Sequence, residues 1–313
     1  MFDIIPDIHG HADKLDGLLE TLGWTRSPAG WRNDEPGREI VFLGDFIDRG
    51  PENRRVLSTV RSLVESGKAR AVLGNHELNA VHFHTEDRGP AGGYLRPHSE
   101  KNLRQHGSFL TELPVGTAET CAVIDWFKTL PLYIETPEFR AVHACWNEGV
   151  ITHLMAATQT GVLSEEQWIR AAYPGDTVFE WAEITTKGPE VVLPDGYRFF
   201  DKDGTERRHV RVKWWQDGPT TWPEIAMSVP DPAALPTSPV PQKVCELSYP
   251  ATAKPVFFGH YWLTGNPVLQ APNALCLDYS AGKEGPLLAY RWHSGQLSME
   301  RIIGISCCAR GQQ

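Results

Sequence analysis

The chain has 313 residues, 41% of them apolar, enough to bury a full core as one large α/β domain or two small ones. Its formal net charge of −9 argues against the clustered Lys and Arg of a duplex nucleic-acid surface. No apolar stretch reaches the length of a membrane span, and Met1–Pro6 lacks the basic start and apolar run of a signal peptide, so a cytoplasmic protein without a membrane partner is expected.

Phe2–Ile5 reads as a first strand, running directly into Asp7-Ile8-His9-Gly10. Leu15, Leu18, Leu19 and Leu22 then follow helical spacing up to Gly23. Asn33–Gly37 reads as a turn and Glu39–Leu43 as a second strand, which leads into Gly44-Asp45-Phe46-Ile47-Asp48-Arg49-Gly50. Pro51 suits a first helical position, Val56, Leu57, Val60, Leu63 and Val64 make an apolar face, and Gly67 stands as the C-cap. Ala69–Leu73 is a third strand before Gly74-Asn75-His76-Glu77, and a helix begins at His76. Each polar block thus ends a strand, where open α/β sheets place their sites.

Phe83–Gly107, rich in Gly, His and charge, reads as a loop or lid bordering that site. Ile124–Ile134 reads as a helix turning into a strand, Phe139–Ala144 as a strand carrying His143, and Val256–Gly259 as a strand carrying His260. Residues 147–255 have another character: Gln159–Trp181 looks helical, 196–215 is charged and aromatic, and Thr220–Pro255 is Pro-, Ser- and Thr-rich extended loop. With too little apolar content for a core of its own, this stretch is expected to be an insertion capping the mouth of the site within a single domain, 1–313. Ala274–Tyr279, Leu287–Trp292 and Leu297–Ile303 close the chain as strands. The six cysteines show no C-x-x-C spacing, so reduced thiols are expected and the adjacent Cys307–Cys308 pair is incidental.

The three N-terminal blocks, D-x-H, G-D-x-x-D-R-G and G-N-H-E in that order, resemble calcineurin-like metallophosphoesterases of the serine/threonine phosphoprotein phosphatase type. They are similar to bacterial protein phosphatases and diadenosine tetraphosphatase-like members, since Leu73 stands where eukaryotic protein phosphatases carry Arg. The resemblance implies a metallo-dependent phosphatase fold, a central β-sandwich flanked by helices, with a cap-like insertion. It also implies two divalent ions: manganese first, with iron, zinc or magnesium suited to the same mixed donors. Such ions, about 3.5–4 Å apart, draw charge from the phosphoryl oxygens and lower the pKa of a bound water.

By the same resemblance Asp7 and His9 hold the first metal, Asp45 bridges, and Asn75 binds the second. His143, in Val142-His143-Ala144-Cys145, and His260, in Gly259-His260-Tyr261, complete it. His76 is the implied general acid, oriented and kept cationic by Asp48, while Arg49 holds phosphoryl oxygens through its planar fork. Glu77 is read as a loop anchor.

The implied reaction is hydrolysis of a phosphoric ester by metal-activated hydroxide without a covalent phosphoenzyme. The substrate is either a phosphoserine or phosphothreonine protein or a nucleotide such as a dinucleoside tetraphosphate; a non-catalytic relative that binds a phosphorylated ligand is the third reading. The second phosphate-binding Arg of these phosphatases has no counterpart between Asp217 and His260. Arg211, Lys213 and Lys243 are the candidates, although Arg207–Arg211 reads as a solvated basic hairpin. His82, His84, His98, His106 and His153 are surplus to the metal constellation. Trp262 stands where the nuclease relatives carry a second His, which disfavours that branch. Trp168, Trp181, Trp214, Trp215 and Trp222 are either core or a stacking surface for a nucleobase.

Overall fold

The computed structural model describes residues 1–305 except 29, 90, 91, 159, 202, 203 and 219. Its main strands are β1 (Phe2–Ile5), β2 (Glu39–Phe42), β3 (Ala69–Ala71), β4 (Tyr133–Glu135), β5 (Arg140–Val142), β6 (Glu190–Val192), β7 (His209–Val212), β8 (Ala226–Met227), β9 (Val256–Phe258), β10 (Ala274–Cys276), β11 (Leu287–Trp292) and β12 (Ile302–Ile305). One sheet has the order β12-β11-β1-β2-β3, with β1, β2 and β3 parallel. A second has the order β10-β9-β5-β4, with β10, β9 and β5 parallel.

Alternation along the strands makes these sheets a sandwich. Ile4, Val41, Ala141, Phe257, Leu275 and Tyr290 form one buried cluster between the sheets. Their neighbours Ile5, Phe42, Val142, Phe258 and Cys276 point the other way, into the cluster that packs the flanking helices. Successive side chains on a strand face opposite sides, so both faces of these short strands are apolar and both are covered.

The helices follow the expected register. In α1 (Ala12–Thr21) the leucines at 15, 18 and 19 are fully buried. Helix α2 (Asn53–Glu65) ends at Gly67, whose φ of +69° allows Lys68 N–H to reach Leu63 O and Gly67 N–H to reach Val64 O. Pro51 lies outside this helix. The free N–H groups of Asn53 and Arg54 are instead satisfied by the Glu112 carboxylate, at 2.6 and 3.0 Å, from α5 (Gly107–Glu112). Helix α3 (Asn75–His84) starts one residue before the expected His76, and α6 (Ala118–Phe127) leads into β4 as anticipated. The presumed loop 83–107 contains a helix, α4 (Glu100–Gln105). A hairpin pairing Thr25–Ser27 with Gly30–Arg32 was not foreseen.

Residues 147–255 carry α7 (Glu148–Thr158), α8 (Glu165–Arg170), α9 (Thr177–Lys187) and the three-stranded sheet β8-β7-β6. The single helix expected over Gln159–Trp181 is therefore two, and Gln159 lies outside the described residues. The expectation that this segment lacks a core is corrected. Leu193, Phe199, Val210, Trp222, Ile225 and Leu235 belong to a separate buried cluster, in which short strands, a one-turn helix and loops pool apolar residues that are sparse in sequence. Trp168, Trp214 and Trp215 pack instead into the main helical core. Trp222 belongs to the insertion's own cluster, and Trp181 packs partly buried against the main one and stacks on His153. Cys121, Cys145 and Cys276 are free thiols, while Cys307 and Cys308 lie outside the described residues. Among the described residues no helix is long and apolar enough to cross a membrane.

Candidate active site

The loops after β1, β2, β3, β5 and β9 converge, and with them come all nine residues singled out in the sequence. Close approach of the loops requires glycine: a Cβ on Gly259 would fall on the Asp7 carboxylate, and one on Gly74 would fall on Asp45. The site residues themselves take unusual backbone: His9, Asp45, Asp48, Arg49 and His260 have φ of +50, +52, +68, +71 and +71°. Such conformations persist only where the surroundings over-determine them. Here the Glu77 carboxylate accepts from Asp45 N–H and Phe46 N–H, both at 2.8 Å, and from Gly74 N–H at 3.1 Å. Gly259→Ala is expected to lower the midpoint of thermal unfolding by several degrees, since overpacking costs about 1–3 kcal/mol. Calorimetry showing an unchanged midpoint would contradict this close approach.

Asp45 lies at the centre. Its carboxylate is 3.7 Å from His9 Nε2, 3.9 Å from His76 Nε2 and 3.4 Å from His143 Nε2. His9, Asp45 and His76 form one group able to hold a metal ion, and Asp45, His143 and His260 form another, so Asp45 is shared. Asp7 lies on the first side, 3.9 Å from His9 Nε2. Asn75 lies on the second, its Oδ1 3.2 Å from His143 Nε2 and 2.8 Å from His260 Nδ1. Metal–donor distances of about 2.0–2.2 Å require neighbouring donors roughly this close.

The local hydrogen bonds prepare these donors. His9 Nδ1–H donates to Ile47 O at 3.0 Å, which leaves its Nε2 with a free lone pair, and His143 Nδ1–H donates to Leu43 O at 2.6 Å, which turns its Nε2 toward Asp45 and Asn75. His9 Nε2 is buried with no hydrogen-bond partner. Burial, reinforced by His76, pushes the His9 imidazole down to about 3, and burial beside His143 also lowers His260, so both are neutral ligands in waiting. Asp7 is raised well above the ordinary carboxylate range by burial and by Asp278. For His143 burial is outweighed by Asp45, and its imidazole rises to about 10. Among the described residues Asp7 and Asp45 form ion pairs only with histidines. Buried carboxylates without a Lys or Arg are costly, so the donor set fits divalent cations.

Beside this cluster lies an acid pair. His76 Nδ1–H donates to Asp48 Oδ2 at 2.5 Å, leaving Nε2 facing Asp45. The second Asp48 oxygen accepts from His106 Nδ1 at 2.8 Å, and His106 Nε2 is 3.1 Å from His84 Nε2. Burial would raise Asp48, but these two hydrogen bonds hold it well below the usual carboxylate range. Burial would lower His76, but Asp45 and then Asp48 hold it above the ordinary imidazole value. His84 and His106, surplus by sequence, therefore belong to this chain of contacts. Of the other surplus histidines, His82 bonds Trp168 O, while His98 stacks on Phe83 and Tyr94.

Arg49 lies over Trp262, 5.1 Å from the ring centroid, and Trp262 in turn lies 5.2 Å from the His9 ring. The residue that replaces a second histidine thus roofs the first donor group. Its backbone N–H donates to Asp278 at 2.6 Å, a buried carboxyl that sequence reading left without a role. Arg207 and Arg208 are solvated as expected, with side chains 54% and 69% exposed. Arg211 departs from that hairpin reading: its Nε is buried, its guanidinium lies over Tyr261, and it borders a cavity shared with Asn75 and His260.

Sandwich topology and donor set together define a metallophosphoesterase, a class that uses divalent metal ions. The chain belongs to the calcineurin-like phosphoesterase family, whose model matches residues 1–261. Over 80 residues it is 44% identical to the asymmetrical bis(5'-nucleosyl)-tetraphosphatase PrpE of Anoxybacillus flavithermus, a match covering 24% of this chain and 31% of that protein. The chain thus spans about a third of the length of the PrpE relatives it matches. Over 295 residues it is 28% identical to the symmetrical bis(5'-nucleosyl)-tetraphosphatase of Janthinobacterium sp. (strain Marseille), covering 91% of this chain and 90% of that one. A cold-active protein-tyrosine phosphatase of Shewanella sp. has the same fold, with a TM-score of 0.51 at 16% identity over 93% of this chain and 75% of its own.

Proposed function

We propose that this protein is a two-metal phosphoric ester hydrolase acting on nucleotide phosphoanhydrides of the dinucleoside tetraphosphate kind. The observation that carries the reading is the shared position of Asp45 between two donor groups, with the Asp48–His76 pair alongside. Asp7, His9 and Asp45 would hold one ion, and Asp45, Asn75, His143 and His260 the other, manganese being the first candidate. Bound there, such ions supply an activated hydroxide and neutralise phosphoryl charge.

The chain's own residues do the rest. His76 keeps one proton on Nδ1 for Asp48 and presents the other on Nε2 to the departing oxygen. Asp48 orients that ring and, with Asp45 engaged by cations, is the carboxylate left to hold it cationic. Arg49 is held by Trp262 and has no carboxylate partner among the described residues, so its fork is available for phosphoryl oxygens. Arg211, carried by residues 147–255, serves as the second phosphate-binding cation. That segment acts as a cap, a role supported by the cavity its Glu183, Lys187 and Arg211 line together with Asn75 and His260.

The nucleotide reading is favoured over a phosphoprotein by a cavity of about 820 Å³ between Trp262, Tyr279 and Lys283. Its size and aromatic walls suit a nucleoside. The Janthinobacterium relative, matched along nearly its whole length, is named for such a substrate. With Mn²⁺ supplied, wild-type protein is expected to hydrolyse diadenosine tetraphosphate with a kcat/KM at least tenfold above that for a phosphothreonine peptide. The opposite ratio would return the phosphoprotein reading, and no turnover of either with any divalent metal would favour a binding protein.

A further inference from the structure

A small cavity of about 140 Å³ opens beside His76, lined by Asp48, Arg49, Asn79, Arg96 and His106 among others. It is well below the roughly 300–1,000 Å³ of pockets that enclose a whole nucleoside-sized ligand. A phosphoryl group, the volume of a few waters at about 30 Å³ each, fits it.

Its wall is cationic. Arg96 donates through Nη1 to Asn79 Oδ1 at 2.8 Å, and through Nη2 to Asn102 Oδ1 at 2.9 Å and Gln105 Oε1 at 3.0 Å. All three partners are neutral amides. Among the described residues no carboxylate lies within ion-pair distance of the partly buried Arg96, and Asp48 and Glu183 act on it only from further away. Three of its five N–H donors are engaged by these amides, which leaves two. Asp48, the carboxylate in the wall, has one oxygen on His76 and the other on His106, so it presents little to repel an anion. Arg49 closes the cavity on the side of the metal donors.

We infer that this cavity is a subsite for an anionic leaving group, with Arg96 binding the phosphoryl group next to the scissile one. The inference rests on the hydrolase reading above. During turnover the P–O bond to the bridging oxygen breaks, the hydroxyl of water joins phosphorus, and the bridging oxygen leaves with a proton from His76 Nε2. Arg49, Asn75 and His76 belong both to the site and to this cavity wall, so a group attached to that oxygen has the Arg96 side open to it. A cation there neutralises the charge of a departing phosphate and gives nothing to an uncharged aryl or alkyl group.

The test compares diadenosine tetraphosphate with p-nitrophenyl phosphate. In Arg96→Met the ratio of their kcat/KM values is expected to fall at least tenfold, with partial recovery in Arg96→Lys; in Arg49→Met both values fall together. In wild-type protein, inorganic pyrophosphate is expected to inhibit p-nitrophenyl phosphate hydrolysis with a Ki at least tenfold below that of inorganic phosphate. This measurement does not depend on a variant folding. An unmoved ratio in Arg96→Met, or pyrophosphate no better than phosphate, overturns the subsite while leaving the hydrolase reading intact. A wild type that turns over neither substrate overturns the hydrolase reading, and the subsite with it.

Discussion

Replacing Asp45 by Asn is expected to lower kcat/KM for p-nitrophenyl phosphate about a thousandfold or more, and to remove most of the stabilisation by Mn²⁺. The substitution isolates charge from shape, because Asn tolerates the +52° φ at this position better than most residues. Asp45 is the carboxylate shared by both donor groups, and its Oδ1 also accepts from His76 N–H at 2.9 Å. Removing its charge weakens both sites at once. A bound metal contributes several kcal/mol to the transition state, and each 1.36 kcal/mol is about tenfold in rate. A ligand at a hundred times its Kd stabilises the fold by about 2.7 kcal/mol. Calorimetry with and without Mn²⁺ therefore reads the same residue independently of turnover. A variant that keeps both its activity and its metal-dependent shift in Tm would remove Asp45 from the bridging role.

The second large effect is expected at His76. His76→Asn should cost about 10²–10⁴ in kcat for an alkyl phosphate, the usual worth of positioned proton transfer, and less for p-nitrophenyl phosphate, whose leaving group needs a proton less. The pH profile separates a proton donor from a merely structural histidine. An acid works while protonated, so its pKa marks the alkaline limb of kcat/KM. In the folded protein, burial pulls His76 down while Asp45 and Asp48 hold it above the ordinary value. Asp48→Asn removes one of the two raising carboxylates, so the alkaline limb should move to lower pH. A limb that stays in place in Asp48→Asn would show that the titrating acid is not His76.

The N-terminal half of this site was legible because each donor block is local. A short apolar strand followed by Asp, His or Asn between glycines states both the turn and the chemistry within a few residues. His143 and His260 each end a buried strand, but they were picked out through the family resemblance carried by the first three blocks rather than by their own surroundings. Arg96 and His106 carry no such signature. They sit in a segment that reads as loop and reach Asp48 and its surroundings only through α4 and the packing of Phe83 and Phe109. Arg211 was one of three candidates that the sequence could not separate, because Arg207, Arg208 and Arg211 look alike as a charged run and only the packing of β7 sets one of them over Tyr261. The insertion's core was missed because its apolar residues are scattered over short strands, one-turn helices and the loops between them, which meet only at long range.

One consequence concerns attempts to make this protein more robust. Five of the candidate site positions hold left-handed backbone on side chains that would relax to glycine with relief of strain. A stability screen blind to activity should therefore be drawn to these positions, rewarding changes at His9, Arg49 or His260 that erase the chemistry. Thermal tolerance and turnover compete at the same residues, and selection for one has to be policed by the other.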